Sequence, residues 1–210
     1  MTRCPMIAPL VVGLTLSALV HDAEAGARRS RPLRTGQTTC SSTAGDTIPC
    51  AGTGQDGDLR QGEPRTYQDN GDGTIRDQRT ALTWEKLSDD GSIQDVNNRY
   101  TWRQALKRID DLNAAEFAGF RDWRLPNVNE LETLRDLGNV NPAISAPFNT
   151  GCQLGCSVLA CSCTAASYYW SSSTYAIDPT QALAVFFGGG FVFPAAKTSK
   201  YHVRAVRGGS

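Results

Sequence analysis

Apolar positions recur with two different periods along this chain, and each period predicts its own kind of element. Trp102, Ala105, Leu106, Ile109 and Leu112 repeat at three- and four-residue steps. That spacing predicts an amphipathic helix, with Lys107, Arg108, Asp110 and Asp111 on its polar side. Thr101 stands at the N-cap position with Gln104 three residues later, the pattern of a capping box, and the helix is expected to end near Asn113. A second stripe, Val128, Leu131, Leu134 and Leu137, predicts another helix. Asn127 and Glu130 supply its capping box, and Gly138 is its stop signal. Pro126 holds Leu125 extended ahead of that helix.

Other stretches follow the period of strands. Thr66-Tyr67 and Thr74-Ile75-Arg76-Asp77 flank Asp69-Asn70-Gly71-Asp72-Gly73, whose Asn-Gly and Asp-Gly pairs predict a hairpin turn. Ala81 to Trp84 reads as the next strand. Tyr168–Ser173, Ala182–Phe187, Phe191–Ala195 and Tyr201–Val206 are aromatic or β-branched and read as closing strands. Gly188 to Gly190 turn the chain between the second and third of these. The stretch 139–167 holds Pro142, Pro147 and four cysteines, and a connection of that length is stapled or functional. The order predicts an α+β body with a mostly antiparallel sheet, two helices to one side and a long disulfide-stapled loop.

The ends change the picture. Arg3, the apolar run from Ile7 to Val20 and the small residues Ala23 and Ala25 make up a secretory signal, with cleavage after Ala25. The rival, a membrane anchor, needs roughly 20 apolar residues, and this run has about 14. Residues 26–64 are polar and nearly free of large apolar side chains, so the expected division is 1–25 signal, 26–64 polar segment and 65–208 folded domain. Losing Arg3, Asp22 and Glu24 moves the formal charge from 0 to +1, so bulk charge selects no partner and argues against nucleic acid. Localisation is expected to be periplasmic, secreted or at the cell surface, with no transmembrane segment after cleavage.

Cys4 leaves with the signal, and Cys40, Cys50, Cys152, Cys156, Cys161 and Cys163 remain. An even count in an exported chain predicts disulfides. Cys40 and Cys50 close a short polar loop and are expected to pair. Connectivity among the other four stays open, and zinc is their alternative occupant, although their spacing lacks paired Cys-x-x-Cys knuckles.

Six motifs then occur in order: Asp69-Asn70-Gly71-Asp72-Gly73-Thr74-Ile75, Ala81-Leu82-Thr83-Trp84, Thr101 to Leu106, Asp122-Trp123-Arg124-Leu125-Pro126 with Glu130-Leu131, Tyr169-Trp170-Ser171-Ser172-Ser173, and Val203-Arg204-Ala205-Val206-Arg207. In these the chain resembles the Lcl C-terminal domain family, over about residues 35 to 208. The resemblance implies a C-type-lectin-like fold and an exported or surface protein. The family's namesake is part of a collagen-like adhesin that binds sulfated polysaccharides and trimerises. This chain carries no Gly-X-Y run.

Chemistry is sparse. An EF-hand register placing Gly73 sixth puts Gln68 first and Arg79 twelfth, the wrong residues for calcium. A looser calcium site would use Asp69, Asp72 and Asp77, while the favoured role for this stretch is a turn whose side chains bond their own backbone. Trp123 is expected in the core, with Arg124 paired to a carboxylate at the sheet–helix junction. Ser171 to Ser173 lack a base tied to them by spacing, and His202 is the one histidine after Ala25. No cofactor is expected. Lys197, Lys200, Arg204 and Arg207 are the candidate ligand-binding residues, an anion patch for an acidic polysaccharide or cell-surface glycan. The loops 139–167, 174–181 and 188–190 would form the binding face, and a second copy of the chain is a further expected partner. The function expected is thus a non-catalytic binding or adhesion module. The alternatives are a relative of the formylglycine-generating enzymes or a variable-display protein.

Overall fold

The computed structural model describes residues 32–209, so the expected signal segment 1–25 lies outside the described residues. The segment before Arg65 carries three small elements: β1 (Cys40–Ser41), β2 (Thr47–Ile48) and α1 (Asp56–Leu59). A Cys40–Cys50 disulfide closes the β1–β2 hairpin, as its short spacing led us to expect. Within this segment Leu33 bridges Glu63. It also packs on the main body of the domain, where the Thr35 carbonyl accepts the Leu137 N–H at 2.7 Å.

Next come β3 (Tyr67–Asp69), β4 (Thr74–Asp77) and β5 (Thr83–Glu85), which form an antiparallel sheet completed by the last strand, β9 (Val206–Arg207). The β3–β4 turn forms as its glycines predict. Gly71 and Gly73 have φ of 76° and 90°, the left-handed region a side chain disfavours. Asp69 accepts from the Gly71 N–H at 2.9 Å and Asp72 from the Thr74 N–H at 3.0 Å, so these carboxylates bond their own turn.

Helix α2 (Trp102–Ala114) begins with the Thr101–Gln104 capping box, and α3 (Val128–Glu132) with the Asn127–Glu130 box. The inner face of α2 differs from expectation at two positions. Leu106 faces solvent and Arg108 is buried. Ala105, Arg108, Ile109 and Leu112 are the residues that share the inner face, at steps of three, one and three. Helix α3 is shorter than its leucine pattern suggests. After Glu132 the backbone turns away to pair with a returning segment: Ser145 N–H bonds the Leu134 carbonyl at 3.0 Å and Arg135 bridges Ile144. Leu131 and Leu134 are still buried, so the pattern reported burial correctly and helix length incorrectly.

Strands β6 (Tyr168–Thr174), β7 (Gln181–Phe186) and β8 (Phe191–Ala196) form a three-stranded antiparallel sheet. It stands between two cores because side chains alternate across it. Tyr169 and Val185 enter one core with Leu131, Leu134, Trp84 and Phe148. Trp170, Ala182, Ala184 and Ala195 enter the other, against Ala105, Ile109 and Leu112 of α2. The alanines leave room for the helix to approach.

The expected strand Tyr201–Val206 is not continuous. Tyr201 pairs with Tyr100, and His202 pairs in parallel with Tyr169. The chain then crosses to the other sheet, where the Ala205 carbonyl accepts the Glu85 N–H and Val206 pairs with Trp84. This segment therefore ties the two larger sheets together. The stretch 139–167 is folded rather than loose. It contains a 3-10 turn (Ala146–Phe148), a Thr150–Ser162 bridge and two nested disulfides, Cys152–Cys163 and Cys156–Cys161. At this level the structure is the expected α+β body of mostly antiparallel sheets, few helices and disulfides.

Candidate functional site

The four candidate cations do not form one patch. Arg204 is fully buried and is corrected from surface ligand to internal brace. Its Nη1 donates to the Glu85 carbonyl at 2.8 Å, and its Nη2 to the Cys163 carbonyl and the Thr164 hydroxyl at 2.6 and 2.8 Å. Burial lowers its pKa from the ordinary guanidinium value. The strand expected at 201–206 would have alternated faces. The actual crossing between sheets turns Arg204 inward instead. Arg207 lies 3.6 Å over the Phe120 ring and donates to Asp122 at 2.7 Å, a hydrogen bond that holds the Asp122 carboxyl below its usual range. Lys197 sits 4.2 Å over the Trp102 ring and donates to Thr174 at 3.0 Å. Lys200 opens onto a concavity.

That concavity is a groove of ≈ 330 Å³. Arg99, Lys107 and Lys200 are exposed cations on its walls, and Tyr100 and Gln104 add an aromatic ring and an amide. Reciprocal backbone hydrogen bonds between Tyr100 and Tyr201, at 2.8 and 2.9 Å, bring Arg99 and Lys200 to the same end of α2. Lys107 comes from the exposed side of α2 and pairs with Asp111 one turn on, at 2.6 Å. Both the hydrogen bond and the charge of Asp111 raise the Lys107 pKa. Arg108 lies at the floor, where Glu85 neutralises it. Its burial opposes the charge, and the attraction and hydrogen bonds of Glu85 outweigh burial and raise its pKa. The lining is therefore three solvent-facing cations against one acid, Asp111.

The sequence reasoning missed Arg99 and Lys107, and it placed the binding face on three loops that contribute nothing to this lining. The available signal was the polar face of α2 itself. What it lacked was the Tyr100–Tyr201 pairing, a contact between positions about a hundred residues apart.

A second concavity, lined by Asp89, Asp90, Asp95, Asn97 and Asn98, is acidic. Its carboxylates are spent internally. Asp95 accepts from Gly91 N–H and Asn97 N–H at 2.6 and 2.7 Å, and Asp89 accepts from the Asn97 amide at 2.8 Å. Ser171 donates to the Leu183 carbonyl at 2.6 Å, and the Ser173 hydroxyl accepts the Val128 N–H at 3.1 Å. His202 is buried with its ring 5.1 Å from Tyr169, and burial lowers its pKa below 6.5. Trp123 is in the core, and Arg124 grips Glu130 with both Nη atoms, at 2.6 and 2.7 Å, as the sequence led us to expect.

The geometry defines a disulfide-stapled α+β domain with a cationic groove beside its longest helix. The chain belongs to the Lcl C-terminal domain family, whose model matches residues 73–207. A search of curated proteins returned no match.

Proposed function

We propose that this protein is an exported, non-catalytic binding module of C-type-lectin-like fold, and that its groove takes an acidic glycan. The observation that carries the proposal is the convergence of Arg99, Lys107 and Lys200 around Tyr100 in one open groove. Sulfate and carboxylate groups pair with such cations, and Arg adds a planar fork that fits them two-fold. The Tyr100 ring gives a sugar ring an apolar surface with a polar tip. The three disulfides suit an oxidising compartment, and no helix among the described residues is long and apolar enough to cross a membrane. Order of elements supports the lectin-like assignment: early strands, α2, α3, a long stapled segment, then closing strands.

The test is binding of the purified domain to heparin-like polymers at two salt concentrations. Binding should weaken as salt rises, because exposed charges are screened beyond about 8–10 Å. Arg99→Ala with Lys200→Ala should remove about 1.4 kcal/mol, roughly tenfold in Kd. Lys197→Ala with Arg207→Ala should leave Kd nearly unchanged. Wild-type protein that ignores sulfated and carboxylated polymers at low salt would rule the glycan out.

A further inference from the structure

The two disulfides of the stapled segment pack sulfur against sulfur. Cys156 Sγ lies 3.8 Å from Cys163 Sγ, across the two disulfides, and Cys163 Sγ lies 3.9 Å from Cys161 Sγ. The sulfurs of Cys152, Cys156 and Cys163 are all within 4.8 Å of one another. A tetrahedral zinc site with Zn–S bonds of about 2.3 Å sets its sulfurs about 3.8 Å apart. Two of the four contacts between the disulfides already have the edge length of that tetrahedron. The two bonded pairs would have to open, and Cys161, which stands outside that trio, would have to close in.

The surroundings suit a negatively charged centre. Cys156, Cys161 and Cys163 are buried, and Cys152 is exposed, which leaves an entry route. The Cys163 carbonyl is bonded to the buried Arg204 guanidinium. Arg108 grips both carboxylate oxygens of Glu85, and Arg204, a second buried cation, meets that residue at its backbone carbonyl. The Arg204 donors reach neutral oxygens, and its Nε is buried without a partner. Ser162, between Cys161 and Cys163, also has a buried hydroxyl without a partner. A buried guanidinium held against the backbone of Cys163 is an environment that favours a thiolate there.

We propose that this cluster is a redox-gated metal site, which holds a zinc-type divalent cation through Cys152, Cys156, Cys161 and Cys163 once both disulfides are reduced. An external dithiol supplies the electrons. Two dithiols give four electrons and four protons, the two S–S bonds break, and the dithiols leave as cyclic disulfides. Binding of the cation then forms four metal–sulfur bonds and releases four protons, giving a centre of net charge −2 next to Arg204. An external disulfide reverses the step: two such molecules take up four electrons and four protons and leave as thiols, the cation is released, and the two staples re-form. This inference does not depend on the glycan groove.

The experiment uses the exported protein with Cys40→Ser and Cys50→Ser, so that only the cluster contributes thiols. It is reduced anaerobically with a phosphine and titrated with cobalt(II), then with zinc. The expected result is one cobalt per chain with the intense visible bands of tetrahedral thiolate coordination, bleached by stoichiometric zinc. Zinc should also protect all four thiols together from alkylation, read by mass. Cys156→Ser should lose the tetrathiolate spectrum. If the reduced chain loosens, zinc should restore its near-ultraviolet circular dichroism. Weak octahedral cobalt bands, or four thiols alkylated at the same rate with and without zinc, would overturn the proposal whether or not the reduced chain stays folded.

Discussion

Arg108 on α2 donates to both carboxylate oxygens of Glu85 on β5, and both side chains lie out of water. One of those carboxylate oxygens, Oε2, also accepts the Ala205 N–H at 2.9 Å. Glu85 thereby joins the helix, the four-stranded sheet and the crossing segment 201–205. Buried pairs give little net stability over an apolar substitute, yet breaking one strands its partner. Glu85→Gln should therefore cost about 3–5 kcal/mol, because the buried Arg108 guanidinium is left without its counter-charge. Adding Arg108→Met should recover part of that loss. Urea unfolding measures both, and a single-variant loss below about 1 kcal/mol would contradict the role assigned to Glu85.

His202 makes stability depend on pH near neutrality. Burial lowers its folded pKa below the ordinary 6.5, so the unfolded chain takes the proton more readily. The contribution is fully present above pH 6.5 and is lost as pH falls through the folded value. His202→Gln should flatten stability in that window while leaving the region above pH 7 parallel to wild type. Thermal melts between pH 5 and 8 check this. A wild-type Tm that rises as pH drops from 7 to 5 would contradict it.

Arg124 and Glu130 govern a lower range. Partial burial of Glu130 opposes its charge, but the Arg124 hydrogen bonds and the Asn127 N–H at 2.8 Å outweigh it and lower its pKa from 4.5. Its contribution is present above pH 4.5 and disappears as pH falls through the folded value. Glu130→Gln should cost about 1 kcal/mol at neutral pH, since the site is partly exposed and the cap is weakened. The same variant should lose less than wild type on going to pH 3, read by denaturant midpoint.

The Cys40–Cys50 bridge closes a small loop far from the groove in sequence. Chain-entropy estimates give roughly 3 kcal/mol for a loop of this size. Cys40→Ala with Cys50→Ala should lower stability by up to that amount and leave polymer binding within twofold of wild type. Unfolding and binding measured on the same preparation separate the two effects. A loss of binding without a loss of stability would assign the segment before Arg65 to the binding face.

Much was legible in the sequence because it is decided within a few residues. The Thr101–Gln104 and Asn127–Glu130 boxes need partners only three positions away. The Asp69–Gly73 turn depends on side chains that bond neighbouring N–H groups and on glycines at positive φ. The pairing of Cys40 with Cys50 follows from a span too short for much else. Strands β6, β7 and β8 show in their aromatic and β-branched runs because that composition suits the pleated surface of a sheet.

Tertiary structure alone decided what long-range contacts control. Arg108 looked like a solvent-facing residue until Glu85, 23 positions earlier, drew it inward. Arg204 looked like a surface cation until its backbone crossed between sheets and met Glu85, 119 positions away. The groove exists because Tyr100 pairs with Tyr201 and so sets Arg99 and Lys200 beside α2. Local preferences are strong where the partner is a neighbouring backbone group. The burial of a charge depends instead on which distant group neutralises it, and sequence spacing carries no record of that.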